Sequence, residues 1–221
     1  MWRRNKGFSL VELLLVILLI GITSAIAIPN INNWITDRQV KKEVYKFVGE
    51  INEMKSKVMG GQYPLAMVRW STYSNEYASL RKYYMTHEDF FAHYRTVADN
   101  KRYWCDHDPR RQEYQRLADF TTKEIRHWPN IHLCISNDGT KKGVMNEQDP
   151  ETGDQIGRVI LCSTKNTTKS GGSNRCNDRN KNDYRYLVTW DRFVNIKIYK
   201  YNKKKDEWCD GTNCYSYGAF K

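Results

Sequence analysis

The sequence predicts an α+β protein in which a long N-terminal helical stem, a membrane span continuing into an amphipathic helix, packs on an antiparallel β-sheet head with a helical insertion. Three observations carry this expectation. Residues 8–35 hold a single formal charge, Glu12. Val40, Val44, Phe47, Val48, Ile51, Met54 and Val58 recur at the spacing of one helix face. The second half of the chain alternates short apolar runs with turn residues. The 221 residues, 40% hydrophobic and 28% charged, suit one ordinary domain plus an appendage. That composition excludes a large multidomain enzyme and a disordered polymer.

The apolar front follows three cations, Arg3, Arg4 and Lys6. As a helix, residues 8–35 would extend about 42 Å, more than the ~30 Å of a hydrocarbon core. The flanking cations hold the N-terminus on the cytoplasmic side, which exports residues 36–221. Ala25-Ile26-Ala27 also resembles a secretory cleavage site. Against that stands an apolar run of 20 residues up to Ala27, where signal peptides use about 7–15. A carboxylate inside that run needs a cationic partner, because an unpaired charge in hydrocarbon is costly.

The segment Gly7-Phe8-Ser9-Leu10-Val11-Glu12-Leu13-Leu14-Leu15-Val16-Ile17 resembles the class III signal of type IV pilins and type II secretion pseudopilins. The resemblance implies that prepilin peptidase cuts after Gly7 and methylates Phe8. Glu12, Gly21 and Pro29 then fall on the family's fifth-residue glutamate, a stem glycine and the helix-kinking proline. A neighbouring subunit's N-terminal ammonium would neutralise Glu12 and set the axial register of assembly. Gly21 would permit close helix packing, and Pro29 would bend the stem. The partners implied are other pilin or pseudopilin subunits, prepilin peptidase and an inner-membrane assembly platform. The implied location is the bacterial inner membrane, crossed once, followed by extraction into a periplasmic or cell-surface filament.

The domains expected are a leader at 1–7, a transmembrane and filament-core helix at 8–35, and a head at 36–221. Within the head an amphipathic helix spans 37–59, with Gly60 and Gly61 as its C-terminal cap. Residues 65–70 read as a strand. A helix ending in glycine before such a strand resembles the GspH/FimT branch of minor pseudopilins and minor pilins. Residues 76–128 mix aromatics and charges at helical density and predict an inserted helical hairpin, foreign to that branch. Thr86-x-x-Asp89 would cap its first helix, and Asp108-Pro109 would open its second. Strands are expected at 131–136, 157–164, 184–191 and 193–201, in a β-rich part covering 129–221, with a long loop at 165–183.

Six cysteines on the exported side predict disulfides. Proximity pairs Cys162 with Cys176 and Cys209 with Cys214, leaving Cys105 for Cys134. No Cys-x-x-Cys supports zinc. His87-Glu88 lacks the second histidine of a zincin helix, and no nucleophile elbow or phosphate-binding glycine loop occurs. Asp178-x-Asn180-x-Asn182-Asp183 resembles the opening of a calcium loop but lacks its glycine and its final glutamate. No enzyme activity, metal or cofactor is expected.

The formal charge of +11 is regional: residues 165–205 hold twelve lysines and arginines against three aspartates. Lys165, Lys169, Arg175, Arg179, Lys181, Arg185, Lys197, Lys200, Lys203, Lys204 and Lys205 form a candidate phosphate-binding surface, as DNA capture would require. Lys197, Tyr199 and Tyr201 fall on one face of a strand, with Lys203 to Lys205 beyond, so that charge and stacking rings would line one surface. The alternative is a solvated face or a contact with an acidic subunit. Members of the FimT type that bind DNA carry a C-terminal Gly-Arg-x-Arg motif, whereas residues 217–221 read Tyr-Gly-Ala-Phe-Lys. The expected function is a structural subunit, a minor pilin or pseudopilin. The competing expectation is a secreted or anchored binding module, or an enzyme, whose N-terminus serves only as signal or anchor.

Overall fold

The computed structural model describes residues 8–72, 78–96, 114–128, 131–136, 147–164, 168–170, 173–176 and 185–220. They form two compact units, Met1–Gln39 and Val40–Lys221. Helix α1 (Leu10–Met59) begins in the first unit and ends in the second. Its first turn closes on Ser9, whose carbonyl accepts the amides of Glu12 and Leu13 at 3.1 Å each. Ser9 is itself outside the helix, the position where serine is favoured as a cap. The Thr23 hydroxyl donates to Leu19 O at 2.8 Å, so this polar group is satisfied within the helix. Among the described residues no helix is long and apolar enough to cross a membrane. The side chains described without a break in the apolar part of α1 run over residues 10–25, about 24 Å of helix.

The second unit is an α+β head, as expected. The helix face read from the sequence is the one buried: Val40, Val44, Phe47, Val48, Ile51, Met54 and Val58 are all 8% exposed or less. Burying each such side chain stabilises by roughly 1.5–3 kcal/mol. The helix ends in a Schellman turn, with Gln62 N–H donating to Lys57 O at 2.9 Å and Gly61 N–H to Val58 O at 3.0 Å. Gly61 takes φ +75°, which glycine adopts without a Cβ penalty.

Two antiparallel sheets meet α1. The first contains β1 (Leu65–Thr72), β2 (Ala78–Met85), β3 (Gln115–Arg116), β4 (Phe120–Thr122) and β6 (Ile131–Ser136). Its order is β3-β2-β1-β6, and β4 also lies along β2. The second contains β5 (Ile125–Trp128), β7 (Glu147–Gln148), β8 (Gln155–Ser163), β11 (Arg185–Trp190), β12 (Ile196–Asn202), β13 (Glu207–Cys209) and β14 (Cys214–Ser216). Its order is β14-β13-β12-β11-β8-β5, and β7 also lies along β8. Ala66, Val68, Trp70, Leu80, Leu133 and Ile135 from the first sheet and Val159, Leu161, Val188 and Trp190 from the second share one core with the helix. There Phe47 meets Trp70 edge-on at 4.2 Å, a geometry worth ~0.5–1.5 kcal/mol beyond area burial.

Each sheet buries its other face as well. Leu65, Met67, Tyr83, Met85, Tyr114 and Cys134 form a second cluster on the first sheet. Ile156, Ile160, Leu187, Tyr199, Tyr201, Trp208 and Phe220 form a third on the second sheet.

The helical insertion expected at 76–128 is corrected. One helix is present among the described residues, α2 (His87–Thr96). Its cap is the one expected: Asp89 N–H donates to Thr86 Oγ1 at 3.1 Å, and Thr86 Oγ1 donates to Asp89 Oδ2 at 2.6 Å. Residues 78–85, 115–116, 120–122 and 125–128 form strands instead. The cause is burial on both sides of β2, which removes the polar and apolar alternation that marks a strand with one wet face. The expected helix opening at Asp108-Pro109 lies outside the described residues.

The loop expected at 165–183 contains a two-stranded ribbon, β9 (Thr168–Ser170) with β10 (Ser173–Arg175). The strand expected from Phe193 begins at Ile196, because Val194 turns the chain at φ +58°. This conformation is unfavourable for a β-branched residue. It is held by three contacts: the Asp191 carboxylate accepts the amides of Phe193 and Asn195, Lys55 Nζ donates to Val194 O at 3.1 Å, and Val194 itself is buried.

Cys162 is bonded to Cys176 and Cys209 to Cys214, as proximity suggested. Cys134 is also disulfide-bonded, while Cys105 lies outside the described residues.

Candidate functional site

Two surfaces correspond to the residues singled out by sequence. The first is the opening of α1. Its apolar side chains from Phe8 to Ile22 are between 43% and 75% exposed, on every side of the helix. A continuous apolar surface of that extent marks a membrane or protein contact. Glu12 lies exposed in the first turn, where the helix dipole favours a carboxylate. A Cβ added to Gly21 would meet nothing within 4 Å, so no contact inside the chain requires glycine there. The helix continues past Pro29 to Met59, and the Pro29 side chain lies outside the described residues, as does Gly7.

The second surface is the basic stretch, and the structure divides it. Lys165, Arg179 and Lys181 lie outside the described residues, together with the candidate calcium loop at 178–183. Lys169 and Arg175 lie on β9 and β10, and Arg185 opens β11; only their backbones are described. Lys197 and Lys200 lie on β12, and exposed Lys203, Lys204 and Lys205 form the turn into β13. No ion pair engages these three among the described residues.

Lys197 is committed to an internal network. Its Nζ lies 2.8 Å from Glu151 Oε2 and 3.3 Å from Asp149 Oδ2. Glu151 also accepts from Tyr215 Oη and from Asn213 Nδ2, the latter at 3.2 Å. The hydrogen bond to Glu151 raises the Lys197 pKa. In turn Lys197 first, and Tyr215 second, hold the Glu151 carboxyl below its ordinary range. The hydrogen bond to Glu151 likewise pushes the Tyr215 phenol up to about 12. Asp149 and Glu151 are partners of Lys197 that sequence reasoning missed. Their signal is Asp149-Pro150-Glu151-Thr152-Gly153, an Asx turn in which Asp149 Oδ1 accepts Glu151 N–H at 2.8 Å.

The expected stacking rings are corrected. Tyr199 is fully buried and Tyr201 is 7% exposed. Tyr199 packs on Phe220 at 5.1 Å, and Tyr201 on Trp208 at 5.1 Å. The alternation along β12 is present, but the face that carries the tyrosines is covered by the tail hairpin. What remains open is a cationic turn without aromatic rings.

No curated protein and no solved structure matches the chain. A family model described as the prokaryotic N-terminal methylation motif matches residues 2–28. The N-terminus therefore carries the class III prepilin signal of type IV pilins and pseudopilins.

Proposed function

We propose that this chain is the precursor of a pilin-like filament subunit, a minor pilin or pseudopilin with a structural and not a catalytic role. The observation that carries the reading is the methylation motif at residues 2–28 on a helix whose apolar side chains are exposed all round. Prepilin peptidase cuts after Gly7 and methylates Phe8. Residues 8–35 then anchor the subunit in the inner membrane with the N-terminus cytoplasmic, and later enter the filament core. Glu12 pairs there with a neighbour's N-terminal ammonium, which neutralises both charges in a low-dielectric interior and fixes register. An open Gly21 suits close approach of a second stem. Intact mass of the membrane-extracted protein tests this: loss of residues 1–7 with one added methyl is the expected result. Cleavage after Ala27, or no cleavage, would refute it and favour a signal or plain anchor.

A second reading, DNA capture by the head, is favoured by the exposed turn of Lys203, Lys204 and Lys205. Phosphate neutralisation makes such binding fall steeply with salt. Duplex DNA titrated across a salt series should bind the parent head and bind weakly when the three lysines become glutamine. No binding at low salt would refute DNA capture and leave the turn as a subunit contact.

A further inference from the structure

The tail hairpin lies at the edge of the second sheet. Among the described residues β14 pairs with β13 alone, which sets Ser216 opposite Glu207, Tyr215 opposite Trp208 and Cys214 opposite Cys209. The four residues between the cysteines close a tight turn. Asp210 N–H donates to Asn213 O at 3.1 Å, and Asp210 Oδ1 accepts the amides of Thr212 at 2.9 Å and Asn213 at 2.8 Å. Glu151 ties the hairpin to the loop before β8 by accepting from Tyr215 Oη and Asn213 Nδ2. Beneath it, Tyr215 meets Tyr199 and Phe220 edge-on at 5.8 Å each, and Trp208 packs on Tyr201. Lifting β14 would therefore uncover aromatic rings of the third cluster.

The two disulfides whose partners are both described differ in their surroundings. Cys162 and Cys176 are 0% and 2% exposed, and Cys176 Sγ lies 2.9 Å from Arg126 O. Cys162 belongs to β8, which is paired on both sides, with β11 and with β5. In contrast, Cys214 is exposed and Cys209 half-buried, and Asp210 to Asn213 between them are all exposed. Thiol–disulfide exchange requires an incoming thiolate to reach one sulfur of the bond, so exposed disulfides are the exchangeable ones. Position separates the pair again. Opening at Cys162 breaks into the middle of a sheet, whereas opening at Cys214 is confined to an edge hairpin.

We propose that Cys209–Cys214 is a thiol-exchange site for a dithiol reductant, and that its bond latches the tail hairpin over the third cluster. A thiolate of the dithiol attacks Cys214 Sγ. The S–S bond breaks, and Cys209 leaves as a thiolate that takes a proton from water. The second thiol of the reductant, losing its proton, attacks the mixed disulfide and releases Cys214, which is protonated in turn. Two electrons pass to the protein, and the dithiol ends as a disulfide. The reduced hairpin keeps a three-residue ladder and the hold of Glu151. A two-stranded ribbon that short is marginal once its cross-link is gone. The inference does not depend on how the stem is processed.

The test treats the full chain in non-ionic detergent with dithiothreitol, alkylates the thiols released, and follows the tagged cysteines by peptide mass. Cys209 and Cys214 should be tagged at least about tenfold faster than Cys162 and Cys176. In protein reduced at this one bond, hydrogen exchange should rise about tenfold over β13, β14 and residues 217–220 and stay unchanged over β8 and β11. Reoxidation should restore the parent pattern. The double variant Cys209→Ser, Cys214→Ser should reproduce the reduced pattern with no reductant present. Equal tagging rates, or faster tagging of Cys162 and Cys176, would overturn the exchange site. Unchanged exchange over β13 and β14 after reduction would overturn the latch, as would loss of protection in β8 and β11 alongside them, since the opening would then be that of the whole head.

Discussion

Replacing Gly157 by alanine tests how tightly the helix core is closed. Gly157 lies directly opposite Trp190 in the β8–β11 ladder. A Cβ there would fall 2.3 Å from Trp190 Cε2 and Nε1 and 2.5 Å from Cζ2. Non-bonded carbons rest at ~3.5–4.0 Å, so the indole would have to retreat by more than about 1 Å. Trp190 is 1% exposed and sits in the core shared with α1, which leaves it nowhere to go. Overpacking of this kind costs ~1–3 kcal/mol. In a chain of this size that lowers the melting temperature by roughly 2–10 °C. The assay is thermal unfolding of residues 36–221, disulfides formed, followed by the tryptophan signal in near-ultraviolet circular dichroism. In a Trp190→Leu background the same alanine should cost at least about 1 kcal/mol less, because the obstacle is gone. A melting point within about 1 °C of the parent, or an equal cost in both backgrounds, would refute the reasoning.

Three further outcomes are expected. Glu12→Ala should leave membrane insertion intact and abolish incorporation into filaments, measured by fractionation of membranes and sheared filaments; normal incorporation would sink the registry role. Substituting serine at both Cys162 and Cys176, which lie 14 residues apart, should cost about 3 kcal/mol by urea unfolding, with no change as the contrary result. The tail hairpin should respond to pH through Glu151 and Tyr215. A carboxylate whose folded pKa is depressed adds stability above its unfolded value, ~4.3, and loses it as pH falls through the folded one. The Tyr215 phenol, raised to about 12, adds stability that is full below ~10 and lost as pH rises through that folded value. Glu151→Gln should remove the acid-side loss of exchange protection over β13 and β14 and bring the Tyr215 titration back toward ~10; an unmoved titration would contradict the network.

The helix face is legible because Val40 to Val58 pack on one side only, so a 3.6-residue period survives in the sequence. The disulfide pairs at 162–176 and 209–214 are legible because short chain separations leave few alternatives. Strand β2 is not, because Leu80 serves the helix core while Tyr83 and Met85 serve another, and a strand dry on both faces loses its period-two signature. Tyr199 and Lys197 do share one face, as their spacing implies. The burial of Tyr199 depends on a tail hairpin that local pattern does not announce, and the pairing of Lys197 on acids 46 and 48 residues away.

The core that joins α1 to both sheets also bears on how the head folds. Lys55 on the helix reaches Asn195, 140 residues further along the chain. Val188 and Trp190 are comparably remote from the helix side chains they cover. Contacts so distant in sequence pay their loop-closure entropy before any burial rewards them, which slows folding. β1 follows the helix directly and brings Trp70 onto Phe47, whereas the part of the stripe that faces the second sheet must wait for strands far along the chain. The side of the core under the second sheet is thus expected to close last, and refolding of the head should be helped by holding factors during that interval.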